Sequence, residues 1–149
     1  MFWLDYLLRR TRGDVCPGVD HFVSDLQALP NPPMIGLLTG NIRLGAEIKL
    51  RHFYLWEYFS LGAFGDENED RNQLASLALE RGREYIGNDL QPEEIVVVGD
   101  TVRDIECAKS IGARCLAVAT GGNSKDELLA ENPTWTVDNL CHINAEDIL

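Results

Sequence analysis

The chain has 149 residues, the size of one domain, and its 45% apolar and 25% charged residues are ordinary for a globular protein rather than a disordered or fibrous one. Thirteen basic and twenty-four acidic residues give a net charge of −11, which disfavours nucleic acid and anionic membranes as partners because both would be repelled. No apolar run approaches a transmembrane helix and the first residues lack a signal-peptide pattern, so we expect a single cytoplasmic domain over residues 1–149.

The first half of the chain predicts two helices and two strands. A helix follows Pro17-Gly18, and the run MIGLLT, residues 34–39, predicts a buried strand. This strand ends in a polar turn, Thr39-Gly40-Asn41 (the TGN turn), after which a second helix continues to about residue 50. FSLGAF, residues 59–64, predicts a short strand that leads into the acidic loop GDENED, residues 65–70. The apolar face of the first helix is formed by Val19, Phe22, Val23, Leu26 and Leu29.

The second half of the chain also alternates between predicted helices and strands. A helix from Arg71 has an apolar face formed by Leu74, Leu77, Ala78 and Tyr85. IVVVGD, residues 95–100, is the clearest strand, and the helix after it carries Ile105, Ala108 and Ile111 inward before ending near Gly112. CLAVAT, residues 115–120, predicts a further strand, and TWTV, residues 134–137, a small edge strand.

Apolar strands alternating with amphipathic helices predict an α/β fold: a three-layer, Rossmann-like parallel sheet with helices on both faces. In such folds, ligands bind at the carboxyl ends of the strands. Two predicted strands end in polar turns that contain glycine, the TGN turn and Gly99-Asp100-Thr101. These two turns are the candidate sites.

Asp100 and Asp104 have two interpretations. A carboxylate at the end of a strand suits a hard cation such as magnesium, and Asp104, four residues later, could support it. Alternatively, Thr101-Val-Arg-Asp104 fits a capping box, and acids in a first helical turn are favoured by the helix dipole. The residues alone leave both open.

The TGN turn and Arg71 suggest an anion site. The turn offers a hydroxyl, an unhindered backbone N–H and an amide, which suit a phosphate oxygen, although such turns are also common between elements. Arg71 at a helix start opposes the helix dipole unless it has a partner. That partner is either the neighbouring acidic loop or a bound phosphate.

In this order, GLLTGN, Arg71 and VVVGDTVRDIECAKSIGARCLAVATGG resemble the haloacid dehalogenase (HAD)-like hydrolases, especially their phosphoglycolate-phosphatase-like branch. The resemblance covers roughly residues 15–140. It implies a magnesium-dependent, phosphatase-type activity, in which a phosphoryl group is transferred to water. The ligand it implies is a small phosphorylated or anionic molecule. It further implies that Thr39, Gly40, Asn41 and Arg71 bind phosphate, that Arg71, Asp100 and Asp104 are catalytic, and that Asp100 and Asp104 hold or orient Mg²⁺.

The sequence departs from the family at its N-terminus. Family members begin with a strand ending in D-x-D-x-T, whose first aspartate is the nucleophile, and this sequence contains no such motif. The most similar segment is FWLDYLL, in which the residue two positions after Asp5 is Leu7 rather than a second aspartate. The resemblance therefore implies a truncated core that lacks the usual first strand and most of the cap, with residues 1–14 as a remnant helix or arm.

Two hypotheses follow. The first is a HAD-like hydrolase with a phosphate- and magnesium-binding half-site, which needs an attacking group from a second polypeptide, from another copy of the chain or from metal-bound water. The second is a non-catalytic binding or assembly module derived from such a hydrolase. In that case a homodimer or a strand-completing partner would cover the gap, and Trp3, Phe53 or Trp56 would contribute to the contact.

Overall fold

The computed structural model describes residues 2–4 and 16–148, which form one six-stranded sheet and five α-helices. The strands are β1 (Phe2–Leu4), β2 (Ile35–Thr39), β3 (Leu61–Phe64), β4 (Val96–Gly99), β5 (Arg114–Val118) and β6 (Trp135–Val137). The helices are α1 (Val19–Ala28), α2 (Arg43–His52), α3 (Arg71–Ile86), α4 (Val102–Ser110) and α5 (Lys125–Ala130). The strands and helices after residue 18 thus follow the predicted order.

The sheet has the strand order β3-β2-β1-β4-β5-β6, and every recorded pairing is parallel. Two apolar clusters cover it. One packs α1 and α2 against one face, and the other packs α3, α4 and α5 against the opposite face. All described residues of β2 and β4 are buried, as expected for strands covered on both sides. The predicted three-layer α/β fold is confirmed.

The prediction that the first strand is missing is wrong. Phe2–Leu4 forms β1 at the centre of the sheet, where Leu4 pairs with Leu37 of β2 and with Val98 of β4. Three apolar or aromatic residues suit a strand, but so short a run has no periodicity that distinguishes it from the start of a helix. Residues 5–15, which include Asp5 of the FWLDYLL segment, lie outside the described residues, so the predicted loss of the cap stays a prediction.

One residue of the predicted apolar face of α3 is not buried. Leu74, Ala75, Ala78 and Gly82 are buried, whereas Tyr85 in the last turn is 64% exposed. The helical period gives the direction of a side chain but does not tell whether another element lies there to cover it. Of the aromatic residues suggested for assembly, Phe53 and Trp56 are partly buried and pack against the apolar cluster that contains α1 and α2. In the described part of the chain, no helix combines the length and apolarity needed to cross a membrane.

Candidate functional site

The carboxyl ends of β2 and β4 lie on the two sides of β1. Leu4 of β1 is in register with Leu37 of β2 and with Val98 of β4. Thr39 lies two residues after Leu37, and Asp100 lies two residues after Val98. Neighbouring strands are about 4.8 Å apart, so the ends of β2 and β4 are separated by roughly 10 Å. The strand order also reverses at β1, which is the position where open α/β sheets form a crevice for ligands.

The TGN turn forms one wall of this crevice. Thr39 is 2% exposed, and its Oγ1 accepts hydrogen bonds from the backbone N–H and the side-chain Nδ2 of Asn41, each at 3.1 Å. The Arg71 guanidinium lies over Gly40, since a Cβ on that glycine would be 3.5 Å from Nη1. Gly65, at the start of the acidic loop, packs so closely that its own Cβ would meet the Gly40 carbonyl oxygen at 2.0 Å. The turn and Arg71 therefore belong to one site.

Arg71 has a partner on the other side of β1. It is the first residue of α3, whose N-cap is Asp70, and Asp70 accepts a hydrogen bond from the Asn72 N–H. The Nη2 of Arg71 donates to Oδ1 of Asp104 at 3.1 Å, and the two side chains are 20% and 1% exposed. This charge-assisted contact connects α3 with α4 and offsets the unfavourable position of a cation at a helix start.

Asp104 links Arg71 to the turn after β4. Its Oδ2 accepts from the N–H of Asp100 at 3.1 Å, from the N–H of Thr101 at 3.0 Å and from the Thr101 hydroxyl at 2.8 Å. The capping box predicted from Thr101 and Asp104 is confirmed. Because both oxygens of this buried carboxylate accept from protein groups, its geometry suits orienting the residues around a metal rather than binding one directly. Its predicted role as a metal ligand stays a prediction.

Asp100 is the other predicted metal ligand, and this role stays a prediction. The residue is partly buried just after β4, and its N–H donates to Asp104 Oδ2. Within residues 2–4 and 16–148, no group of three or more His, Cys, Asp or Glu side chains could form a metal cage. Magnesium does not require such a cage, since one or two carboxylates, water and substrate phosphate oxygens usually complete its coordination. A single carboxylate at Asp100 fits that mode.

The loop after β5 supports Asp100 from a direction that the sequence analysis missed. The Asn123 N–H donates to the Asp100 carbonyl at 3.1 Å, and Asn123 Oδ1 accepts from the Val102 N–H at 2.9 Å. A Cβ on Gly122 would lie 2.5 Å from the same carbonyl oxygen. Gly121-Gly122-Asn123 is a polar, glycine-containing turn after a strand, so the signal that identified the TGN turn could also have found this one.

An ion pair holds the acidic loop that leads into Arg71. Arg81 contacts both carboxylate oxygens of Glu67, at 2.5 and 2.8 Å, and also donates to the Gly62 carbonyl. Glu67 Oε2 in turn accepts from the Phe64 N–H. The hydrogen bond from Arg81 is the main reason that the pKa of Glu67 is lowered, and Glu67 likewise raises the pKa of Arg81. The pair therefore anchors the acidic loop to β3 and α3.

This pair predicts an acid-sensitive contribution to stability. Because the pKa of Glu67 is lower in the folded protein than its ordinary 4.5, the carboxylate stabilises the fold above pH 4.5. That contribution is lost as the pH falls through the lowered pKa. We expect Glu67→Gln to melt at a lower temperature than wild type at pH 7 and to approach it as the pH falls below 4.5. Thermal unfolding of both proteins from pH 7 to pH 3 tests this, and a constant difference would contradict it.

Comparison with known proteins agrees with the resemblance to HAD-like hydrolases. The Hydrolase_like family model, described as HAD-hydrolase-like, matches residues 72–143. Phosphoglycolate phosphatase from Synechococcus elongatus is 30% identical over 136 residues, which is 88% of this chain and 61% of that protein. The chain therefore spans less than two thirds of the length of this relative.

Solved structures share the fold. A haloacid dehalogenase-like family hydrolase from Streptococcus pneumoniae matches with a TM-score of 0.74 at 18% identity, covering 86% of this chain and 57% of that one. CbbY from Rhodobacter sphaeroides, in complex with phosphate, matches with a TM-score of 0.70 at 20% identity, covering 86% and 55%. At these identities, the likeness concerns the fold.

Proposed function

Because this chain belongs to the HAD-like hydrolase superfamily, in its phosphoglycolate-phosphatase-like branch, we propose that it hydrolyses a phosphate monoester with the help of Mg²⁺. The observation that carries the proposal is the hydrogen-bonded network in which Asp104 connects Arg71 to Asp100 across the end of β1. A cytoplasmic location is part of the same proposal.

Each residue has a role that follows from its chemistry. The Arg71 guanidinium neutralises negative charge on the phosphoryl oxygens, and the Thr39 hydroxyl donates a hydrogen bond to one of them. The Asp100 carboxylate would hold the cation, while Asp104 fixes both Arg71 and the backbone of Asp100. Magnesium, when bound, supplies positive charge that stabilises the transferring phosphoryl group. Phosphoryl transfer depends mainly on such positioning and charge neutralisation.

The relatives suggest a first substrate. The Synechococcus protein is a phosphoglycolate phosphatase and the Rhodobacter structure contains phosphate, so small phosphorylated carboxylates and inorganic phosphate are the first ligands to test. The attacking oxygen comes either from a carboxylate or from water. Asp5, which follows β1 in the sequence and lies outside the described residues, is the carboxylate to test.

The test is hydrolysis of p-nitrophenyl phosphate and 2-phosphoglycolate with Mg²⁺ or with EDTA. We expect turnover only with Mg²⁺ and a loss on the order of 10²-fold in kcat/KM for Asp100→Asn. Asp138→Asn is the matched control, since Asp138 is a half-exposed partner of Lys125 and should not change turnover. Equal rates for wild type and Asp100→Asn, or no turnover with Mg²⁺, would overturn the proposal. Asp5→Asn tests whether Asp5 supplies the attacking oxygen, because activity that survives this change excludes Asp5 as the source.

A further inference from the structure

The hydrogen bonds of Thr39 determine what its hydroxyl can still do. A threonine hydroxyl has two acceptor lone pairs and one donor hydrogen. Both lone pairs of Thr39 Oγ1 are used, one by the backbone N–H of Asn41 and one by its side-chain Nδ2. Among residues 16–148, Oγ1 is not found to donate to any acceptor. With respect to the residues that the structure describes, its hydrogen is therefore available to an incoming group.

Burial makes this arrangement selective. Thr39 is 2% exposed, so bulk water does not compete for the hydroxyl as it would at an open surface. The Arg71 guanidinium, which is also only a donor, lies over the adjacent Gly40. A ligand atom that contacts both groups receives a hydrogen bond from each of them, which favours an anionic oxygen over an ammonium group.

We infer that Asn41 is a positioning residue that holds the Thr39 hydroxyl as a hydrogen-bond donor toward a phosphate oxygen. For the identity of the ligand, this inference rests on the proposed function. It changes the sequence-based expectation that Asn41 contacts phosphate itself, because the Asn41 amide instead acts through Thr39. The backbone N–H of Asn41 alone would leave one lone pair of Oγ1 unfilled and the hydroxyl free to rotate away.

A double-mutant cycle tests the inference with inorganic phosphate as the probe. Calorimetric titration in the presence of Mg²⁺ compares wild type, Thr39→Val, Asn41→Ala and the double variant. We expect Asn41→Ala to weaken phosphate binding about fivefold and Thr39→Val about tenfold, the range for single hydrogen bonds. In the Thr39→Val background, Asn41→Ala should have less than a twofold effect. An equal loss in both backgrounds would show that Asn41 contacts phosphate directly and would overturn the inference.

A ligand-free measurement separates this inference from the proposed function. In ¹H–¹⁵N spectra, the Asn41 side-chain amide should shift clearly between wild type and Thr39→Val, and Thr39→Ser should keep the wild-type position because it retains the hydroxyl. An amide signal that is the same in wild type and Thr39→Val would overturn the inference. A wild-type protein that shows the Asn41–Thr39 contact but binds no phosphate would contradict the proposed function and leave the positioning contact standing. Melting temperatures within a few degrees for all variants exclude general unfolding as the cause.

Discussion

Replacing Asp104 with alanine is expected to lower the free energy of unfolding by about 3 kcal/mol, the range found when one partner of a buried charged pair is removed. The side chain is 1% exposed and accepts four hydrogen bonds, from Arg71, from two backbone N–H groups and from the Thr101 hydroxyl. Alanine leaves these donors without their acceptor and also removes half of the capping box of α4. Urea unfolding followed by circular dichroism measures the change.

Two further variants show which property of Asp104 matters. Asp104→Asn keeps the size and one acceptor oxygen but removes the charge opposite Arg71, so we expect an intermediate loss. Asp138→Ala removes an acid of the half-exposed pair with Lys125 and should change stability by less than about 0.5 kcal/mol. A loss in Asp104→Ala no larger than in Asp138→Ala would show that Asp104 does not tie the two halves of the site together.

The strands next to the site were predictable from the sequence because their signal is local. β2 and β4 are continuous apolar runs that end in polar turns, and a parallel sheet brings such ends to the same edge. The capping box was predictable for the same reason, since Thr101 and Asp104 are three residues apart. β1 was not, because three residues are too few to show a period and its place depends on pairing with β2 and β4.

The contacts that assemble the site were less predictable because they cross the sheet. Arg71 and Asp104 are 33 residues apart, and the sequence offered the adjacent acidic loop as an equally reasonable partner. Asn123 holds the backbone on both sides of Thr101 from 21 residues away. Asn41 is a different case: its place in the TGN turn was predicted, but whether its amide faces a ligand or Thr39 depends on side-chain orientation. Sequence spacing does not contain that information.

Replacing Gly99 with alanine is expected to cost about 2 to 3 kcal/mol of stability, the upper part of the usual range of about 1 to 3 kcal/mol for overpacking a well-packed core. An added Cβ would lie 2.2 Å from Cγ and 2.3 Å from Cβ of Asp104, far inside van der Waals contact. Asp104 cannot move aside without losing its hydrogen bonds to Arg71 and to the Asp100 N–H. We therefore expect phosphatase turnover to fall together with stability.

Gly45→Ala is the matched control for this glycine substitution. Gly45 lies within α2, and a Cβ there would be 3.5 Å from Cγ1 of Ile42, which is ordinary contact. Alanine is a better helix former than glycine, so this variant should gain about 0.5 to 1 kcal/mol with no change in turnover. Urea titration of both variants tests the close packing of Asp104 on Gly99. We expect the free energy of unfolding to fall for Gly99→Ala and to rise for Gly45→Ala. If Gly99→Ala is as stable as wild type while Gly45→Ala gains stability, the Asp104 side chain does not occupy the space above Gly99, and the network around Asp100 is not built as described.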